Sequence, residues 1–244
     1  MNRLIMCEGK TDAILLGYYL MKVAGWEFSS SGPSGLKFKI EQNNEIITWY
    51  QKGAERLMIC AVGGKDNFKR FFSRGIESAI RNSSNEDPFS RVVIITDRDD
   101  REIAEVEKYF AQTMAPFFLG AQNNTCNVAS FTDSYGIEKK INTLLMVIPV
   151  EYQGALETIM LKSISEDPYD KNIVDKCIIF INEIQPYADK YLSTSRLQLK
   201  SKLSAVWAVQ SPEKVFDFID SQIKSVNWEK YSTLRECFVL LESI

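Results

Sequence analysis

Val92-Val93-Ile94-Ile95-Thr96-Asp97-Arg98-Asp99-Asp100 is a run of five β-branched residues that ends in three acids around one arginine. A continuous apolar, β-branched run is what a strand covered on both faces of a parallel sheet requires. The acidic turn behind it places carboxylates at the carboxyl end of that strand. Upstream, Arg3 to Cys7 is a second short apolar run; it stops at Glu8-Gly9. Thr11 to Val23 then carries a broad apolar face that includes Ile14, Leu15, Tyr18 and Leu20, so the segment reads as strand, turn and helix. Arg56 to Val62 repeats the unit. It stops at Gly63-Gly64 and leads into a helix from near Asp66 with Phe68, Phe71, Phe72, Ile76 and Ile80 inward.

Downstream of Asp100 the pattern predicts a helix to about Met114, strands around Asn127 to Thr132 and Thr143 to Val150, and a helix from Gly154 to about Ser163. Strands alternating with helices through right-handed crossovers define an α/β class: a Rossmann-like, mostly parallel central sheet flanked by helices. A Ser/Gly/Pro cluster from Ser29 to Gly35 interrupts the first half, and Lys37 to Ile47 alternates around Asn43-Asn44, which predicts a hairpin insertion at about residues 36–50. Asn82 to Pro88 reads as a polar loop. From Asp170 onward the pattern is helical, with breaks near Pro186 and Ser211-Pro212. The expected division is an α/β domain over residues 1–165 and a helical C-terminal extension over 166–244. Amphipathic helices there would cover the sheet, form a dimer or dock a partner, and oligomeric state stays open.

Composition narrows the chemistry. The 244 residues are 45% hydrophobic and 25% charged, ordinary for a globular protein with its own core. Histidine is absent, which eliminates Ser-His-Asp triads, Cys-His dyads and histidine-ligated zinc together. The five cysteines stand far apart, so no zinc knuckle or C-x-x-C pair is present, and Cys7 and Cys60 read as small buried hydrophobes. No apolar run is long enough to cross a bilayer, and charge arrives too early at the start for a signal peptide; the expectation is a cytoplasmic protein. A formal net charge of −3 argues against a surface that is basic throughout, while leaving room for a local basic groove or a metal that bridges acids to phosphate.

Ligands of open parallel sheets bind beyond the carboxyl ends of the strands. Three loops fall there: Glu8-Gly9-Lys10-Thr11-Asp12, Gly63-Gly64-Lys65-Asp66 and Asp97-Arg98-Asp99-Asp100. Gathering Glu8, Asp97 and Asp99 at one edge makes like charges that repel unless protonated or bridged by a cation. Magnesium suits hard oxygen donors and lowers the pKa of an attacking water. Asp12, four residues after Glu8, becomes a ligand to a second ion if the helix begins early. Each piece alone also has a structural reading: helix caps for the Asp97 to Asp100 acids, a solvated strand end for Glu8, a tight turn for Gly63-Gly64-Lys65.

Glu8-Gly9-x-x-Asp12 after a first strand, with Asp97-x-Asp99 after a later β-branched strand, resembles the signature of the Toprim domain. Val62-Gly63-Gly64-Lys65-Asp66-Asn67-Phe68 is similar to the corresponding segment of the OLD (overcoming lysogenization defect) Toprim proteins. The resemblance covers about the first 165 residues. It implies a Toprim (Rossmann-like) fold and a magnesium-dependent nuclease, or related phosphodiester enzyme, that acts on DNA or RNA, with manganese as an alternative metal. Glu8 would be metal ligand or general acid/base, and Asp97 and Asp99 magnesium ligands, with Gly9, Gly63, Gly64 and Lys65 shaping the binding loops. In OLD-like members a later glutamate and a lysine complete the site; Glu157 is the candidate for the first and Lys200 or Lys202 for the second. No Walker A motif is present. The resemblance is therefore to stand-alone Toprim proteins, which in bacteria are often encoded beside a separate ATPase partner in phage-defence systems. The rival reading is a Toprim-like metal or nucleic-acid binding subunit without turnover. A receiver-type phosphorylation domain ranks low, because its acidic pair follows the first strand and here the order is reversed.

Two further clusters have double readings. Lys65, Lys69, Arg70, Arg74 and Arg81 would face a nucleic-acid backbone or form a solvated helix face. Trp26, Trp49 and Tyr50 would stack on bases or, more commonly for such residues, pack in the core.

Overall fold

The computed structural model describes residues 1–36, 38–82, 89–214 and 217–244; Lys37 and residues 83–88, where most of the expected polar loop falls, lie outside them. In chain order the elements are β1 (Asn2–Cys7), α1 (Lys10–Val23), β2 (Glu27–Ser29), β3 (Ile46–Lys52), β4 (Glu55–Ala61), α2 (Phe68–Phe71), α3 (Glu77–Asn82), β5 (Arg91–Asp97) and α4 (Ile103–Thr113). Then follow β6 (Cys126–Thr132), β7 (Glu138–Ile148), α5 (Leu156–Ile164), α6 (Pro168–Ile184), α7 (Ser195–Gln210), α8 (Ile219–Ser225) and α9 (Ser232–Phe238). The sheet has seven strands in the order β2-β3-β4-β1-β5-β7-β6. Its four middle strands run parallel, and the antiparallel pairs lie at the two edges. This is the α/β architecture expected from the alternation of strands and helices.

The period of two in each strand distributes its side chains to opposite faces. Ile5 and Cys7 join α1 and α5 on one face, while Leu4 and Met6 join Phe68, Phe72, Val106 and Phe110 on the other. The helix expected after Gly63-Gly64 is broken into pieces: a 3-10 turn, α2, a π turn over Phe72–Ile76, and α3. The reason lies in the spacing. Phe72, Ile76 and Ile80 are four apart, and on a 3.6-residue helix such positions drift by about 40° per step. One wider turn absorbs drift and keeps all three buried.

The insertion differs from expectation. Residues 38–45 hold no strand, and Asn43-Asn44 is not the tip of a hairpin. β3 does form a hairpin, but with β4, through Gly53-Ala54, where Gly53 has φ 58°. Positive φ at the first residue of a two-residue turn matches the twist of the flanking strands.

The C-terminal helices cover one face of the sheet. Leu203, Val206, Trp207, Ile223, Trp228, Leu234 and Phe238 belong to the same buried cluster as α1 and α5, each contributing about 1.5–3 kcal/mol for the larger aliphatic and aromatic side chains. Trp26 Nε1 donates to the carbonyl of Ile244 at 3.1 Å, and the Tyr19 hydroxyl donates to Glu242 at 2.9 Å. Trp26, Trp49 and Tyr50 are buried, which selects packing over base stacking for all three. Among the described residues no helix is long and apolar enough to cross a membrane.

Candidate active site

β1 lies between β4 and β5, so the loops after these three strands meet at one edge. Glu8 is where they join. Its backbone carbonyl accepts from the N–H groups of both Gly63 and Gly64 at 2.9 Å. Its carboxylate Oε1 accepts from the Thr96 hydroxyl at 2.6 Å and from the Asp97 N–H at 3.0 Å. The Gly-Gly turn thus has its donors committed to holding Glu8, and both glycines have positive φ, 81° and 125°. A Cβ on Gly63 would also lie 2.6 Å from the Asn44 side chain.

Four carboxylates are buried here: Glu8, Asp12, Asp97 and Glu157 are 1%, 8%, 3% and 5% exposed. Asp97 Oδ1 accepts from the N–H of Leu156, the first residue of α5, at 2.9 Å. Burial pushes the Asp97 carboxyl well above the usual range, and the charges of Asp12, Glu8 and Glu157 push the same way; the Leu156 N–H opposes them. Asp12 is raised to about 7, by burial first and then by Glu8 and Glu157. Gly9 makes room for it, since a Cβ there would stand 2.9 Å from Asp12 Oδ2.

Three cations border this charge. Lys65 Nζ donates to Asp99 Oδ2 at 2.9 Å and to the Asp97 carbonyl at 2.5 Å, and lies 3.9 Å from Glu8 Oε1. Lys200 Nζ lies 2.8 Å from Glu157 Oε1. Arg196, from α7, brings Nη1 to 3.8 Å from Glu8 Oε2. Burial lowers the Arg196 pKa, but Glu8, Asp97, Glu157 and Asp12 outweigh it and the net shift is upward.

Asp99 sits apart from the buried four. Its side chain is 40% exposed and its backbone has φ 57°, a left-handed conformation that aspartate tolerates better than most residues. A pair of backbone hydrogen bonds with Gly154, 2.7 and 2.8 Å, holds it there. Beside it, Arg101, Thr158, Ser195, Arg196 and Lys202 help to line a cleft of 550 Å³.

The sequence-derived residues are thus brought to one edge: Glu8, Gly9, Asp12, Gly63, Gly64, Lys65, Asp97, Asp99, Glu157 and Lys200 lie in or against the acid cluster, and Lys202 lines the adjoining cleft. Among the described residues no group of three or more acids or thiols has its ligand atoms gathered as a formed metal site. The donors are the hard oxygens that magnesium prefers, and the Lys65 ammonium already occupies the space between Glu8 and Asp99 as a cation would. Thr96 and Arg196 were missed. Thr96 read only as strand, and nothing local distinguishes Arg196 in a helix far along the chain.

Of the basic residues after the Gly-Gly turn, Arg70 and Arg74 pair with the buried Glu45, Arg74 also with Glu41, and Arg81 with Glu77. Their charge is largely spent within the fold.

No protein-family model and no curated protein matches the chain. Among solved structures, a crystal structure of a hypothetical protein from Pyrococcus horikoshii aligns over 94% of this chain and 98% of its own, with 15% identity and a TM-score of 0.45.

Proposed function

We propose that this chain is a divalent-metal-dependent enzyme that cleaves phosphodiester bonds in nucleic acid, a stand-alone Toprim-type nuclease. The observation that carries the reading is the burial of Glu8, Asp12, Asp97 and Glu157 at the carboxyl edge of the sheet, where desolvation first and then the neighbouring carboxylates raise Asp12 and Asp97. Buried like charges cost stability unless one is protonated or a cation sits among them, and sites that keep them are commonly functional. Glu8, Asp97 and Asp99 would hold magnesium or manganese, with Asp12 and Glu157 available to a second ion. The metal would supply polarisation of the phosphate and activation of water.

The chain's own residues account for the rest of the chemistry. Thr96 and the Asp97 N–H fix the Glu8 carboxylate by two hydrogen bonds, leaving Oε2 turned toward Arg196. Arg196, 3.8 Å from Glu8 Oε2, would take an oxygen of the scissile phosphate and offset its developing charge. Before a metal enters, Asp12, raised to about 7 by burial and then by Glu8 and Glu157, would exchange a proton near neutrality. Lys65 must leave its place between Glu8 and Asp99 if a metal enters there.

That placement of Lys65 favours a second reading, a binding subunit in which the ammonium substitutes for metal and no turnover occurs. A separate ATPase partner and a role in phage defence remain part of the family expectation.

The test is cleavage of plasmid, single-stranded DNA and transfer RNA with magnesium or manganese, comparing the parent with Asp97→Asn. Metal-dependent cutting that vanishes in a folded variant supports the enzyme. Cutting that persists unchanged in Asp97→Asn refutes this site, and nucleic-acid binding that needs no metal and leads to no cutting selects the binding subunit.

A further inference from the structure

We infer that the acid cluster is served by a track for single-stranded nucleic acid, with a cationic arm on one side and an aromatic arm on the other. The inference rests on the phosphodiesterase reading and names its substrate class. The cationic arm is the cleft of 550 Å³ in which Arg101, Arg196 and Lys202 outnumber the two lining acids, Asp99 and Asp100. Arg101 and Lys202 have no ion-pair partner among the described residues, in contrast to Arg70, Arg74 and Arg81. Positive charge left unspent beside a phosphodiester site is available to a backbone phosphate.

The second arm starts one residue beyond Gly9, which the Arg196 side chain borders. Arg196 Nη2 lies 3.9 Å from the position of a Cβ on Gly9, and Lys10, the next residue, opens a groove of 820 Å³ along α1. Phe28 and Phe218 line that groove and are 60% and 85% exposed; Lys22 adds a cation on the same wall, 5.5 Å from the centre of the Tyr18 ring. Exposed aromatic rings interleaved with lysines are the combination by which proteins hold unpaired bases, whose faces a duplex hides. The acids themselves are almost wholly buried, so a reacting phosphate has to bend inward to reach them. A single strand does this readily, whereas duplex DNA is stiff over about 150 base pairs.

Fluorescence anisotropy of a labelled DNA of about 30 nucleotides, roughly three helical turns as duplex, measured in EDTA with the full chain, tests the track without any cleavage. The single strand is expected to bind more tightly than the same sequence as duplex. Arg101→Ala and Lys202→Ala should each make the slope of log affinity against log salt shallower by about 0.7. Phe28→Ala and Phe218→Ala should each weaken binding by about 5-fold or more while leaving that slope unchanged. Equal or tighter binding of duplex, or single-strand affinity indifferent to all four substitutions, overturns the track. The two readings separate cleanly: single-strand binding that follows the four substitutions in a protein that never cuts upholds the track against the nuclease, and metal-dependent cutting of duplex unaffected by them does the reverse.

Discussion

The Lys65 ammonium is bonded to Asp99 Oδ2 at 2.9 Å, and through that contact a turn after β4 is tied to a turn after β5 across the intervening strand. The lysine side chain is 10% exposed and serves as the cation of a site rich in acids. Lys65→Met, close in volume, should therefore lower the melting temperature of the metal-free protein, because losing a half-exposed pair costs up to about 1 kcal/mol and the buried Glu8 beside it loses a compensating cation. Magnesium should restore part of the loss and raise the variant's melting temperature more than the parent's. Thermal unfolding in EDTA and in magnesium checks both; equal melting of the two proteins in EDTA would show that Lys65 carries no such load.

Asp12 gives a pH dependence with a definite sign. Its folded pKa of about 7 lies above the ordinary 3.8, so the folded state holds the proton more tightly than the unfolded chain. The associated stability is fully present below about 3.8 and is lost as pH rises through about 7. Each unit of that rise corresponds to about 1.4 kcal/mol. Asp12→Asn should thus be more stable than the parent above neutrality in EDTA and flatter between those two pKa values. A chemical-denaturation series across pH decides it, and a variant with the parent's slope would contradict the assignment.

Gly154 has φ 144°, and a Cβ there would lie 2.5 Å from Thr158 Oγ1. Gly154→Ala should destabilise the fold by roughly 2 kcal/mol, from backbone strain and the clash together. Because Gly154 exchanges two hydrogen bonds with Asp99, metal affinity should fall with it. Calorimetric titration of magnesium beside a melting curve separates the two effects. Unchanged stability would mean that the turn accepts a side chain by relaxing.

The helical C-terminus is expected to be required for folding. Cutting the chain after residue 165 would strip Trp228, Phe238, Leu203, Val206 and Trp207 from the cluster that covers α1 and α5. It would also remove Arg196 and Lys200 from the acids. The fragment should lose cooperative unfolding and expose apolar surface to a dye that binds it. A fragment that melts sharply at the parent's temperature would make the C-terminus an independent appendage.

Much of this protein was legible in short stretches of sequence. β-branched runs such as Val92 to Thr96 determined strands buried on both faces, the Gly and Asp signals after them determined where each strand stops, and the alternation with helices determined the α/β class. Glu8, Asp12 and Asp97 could be placed at one edge because parallel strands joined by helical crossovers end on the same side. These are local or periodic properties. The partner of β3 was different: pairing depends on which edge lies open, and β4, not residues 38–45, presented it. The π turn over Phe72–Ile76 likewise answers to the sheet beneath it rather than to propensity.

Tertiary structure alone decided the occupants of the site. Thr96 bonds Glu8 only because β1 and β5 are neighbours, and Arg196 reaches the acids only because α7 packs over the sheet. The raised Asp12 and Asp97 depend on burial and on charges contributed by separate segments. Sequence determines periodicity, and with it which face of an element turns inward. The dielectric and the company a carboxylate keeps arise when distant segments close around it, because both desolvation and Coulomb interaction are set by separation in space.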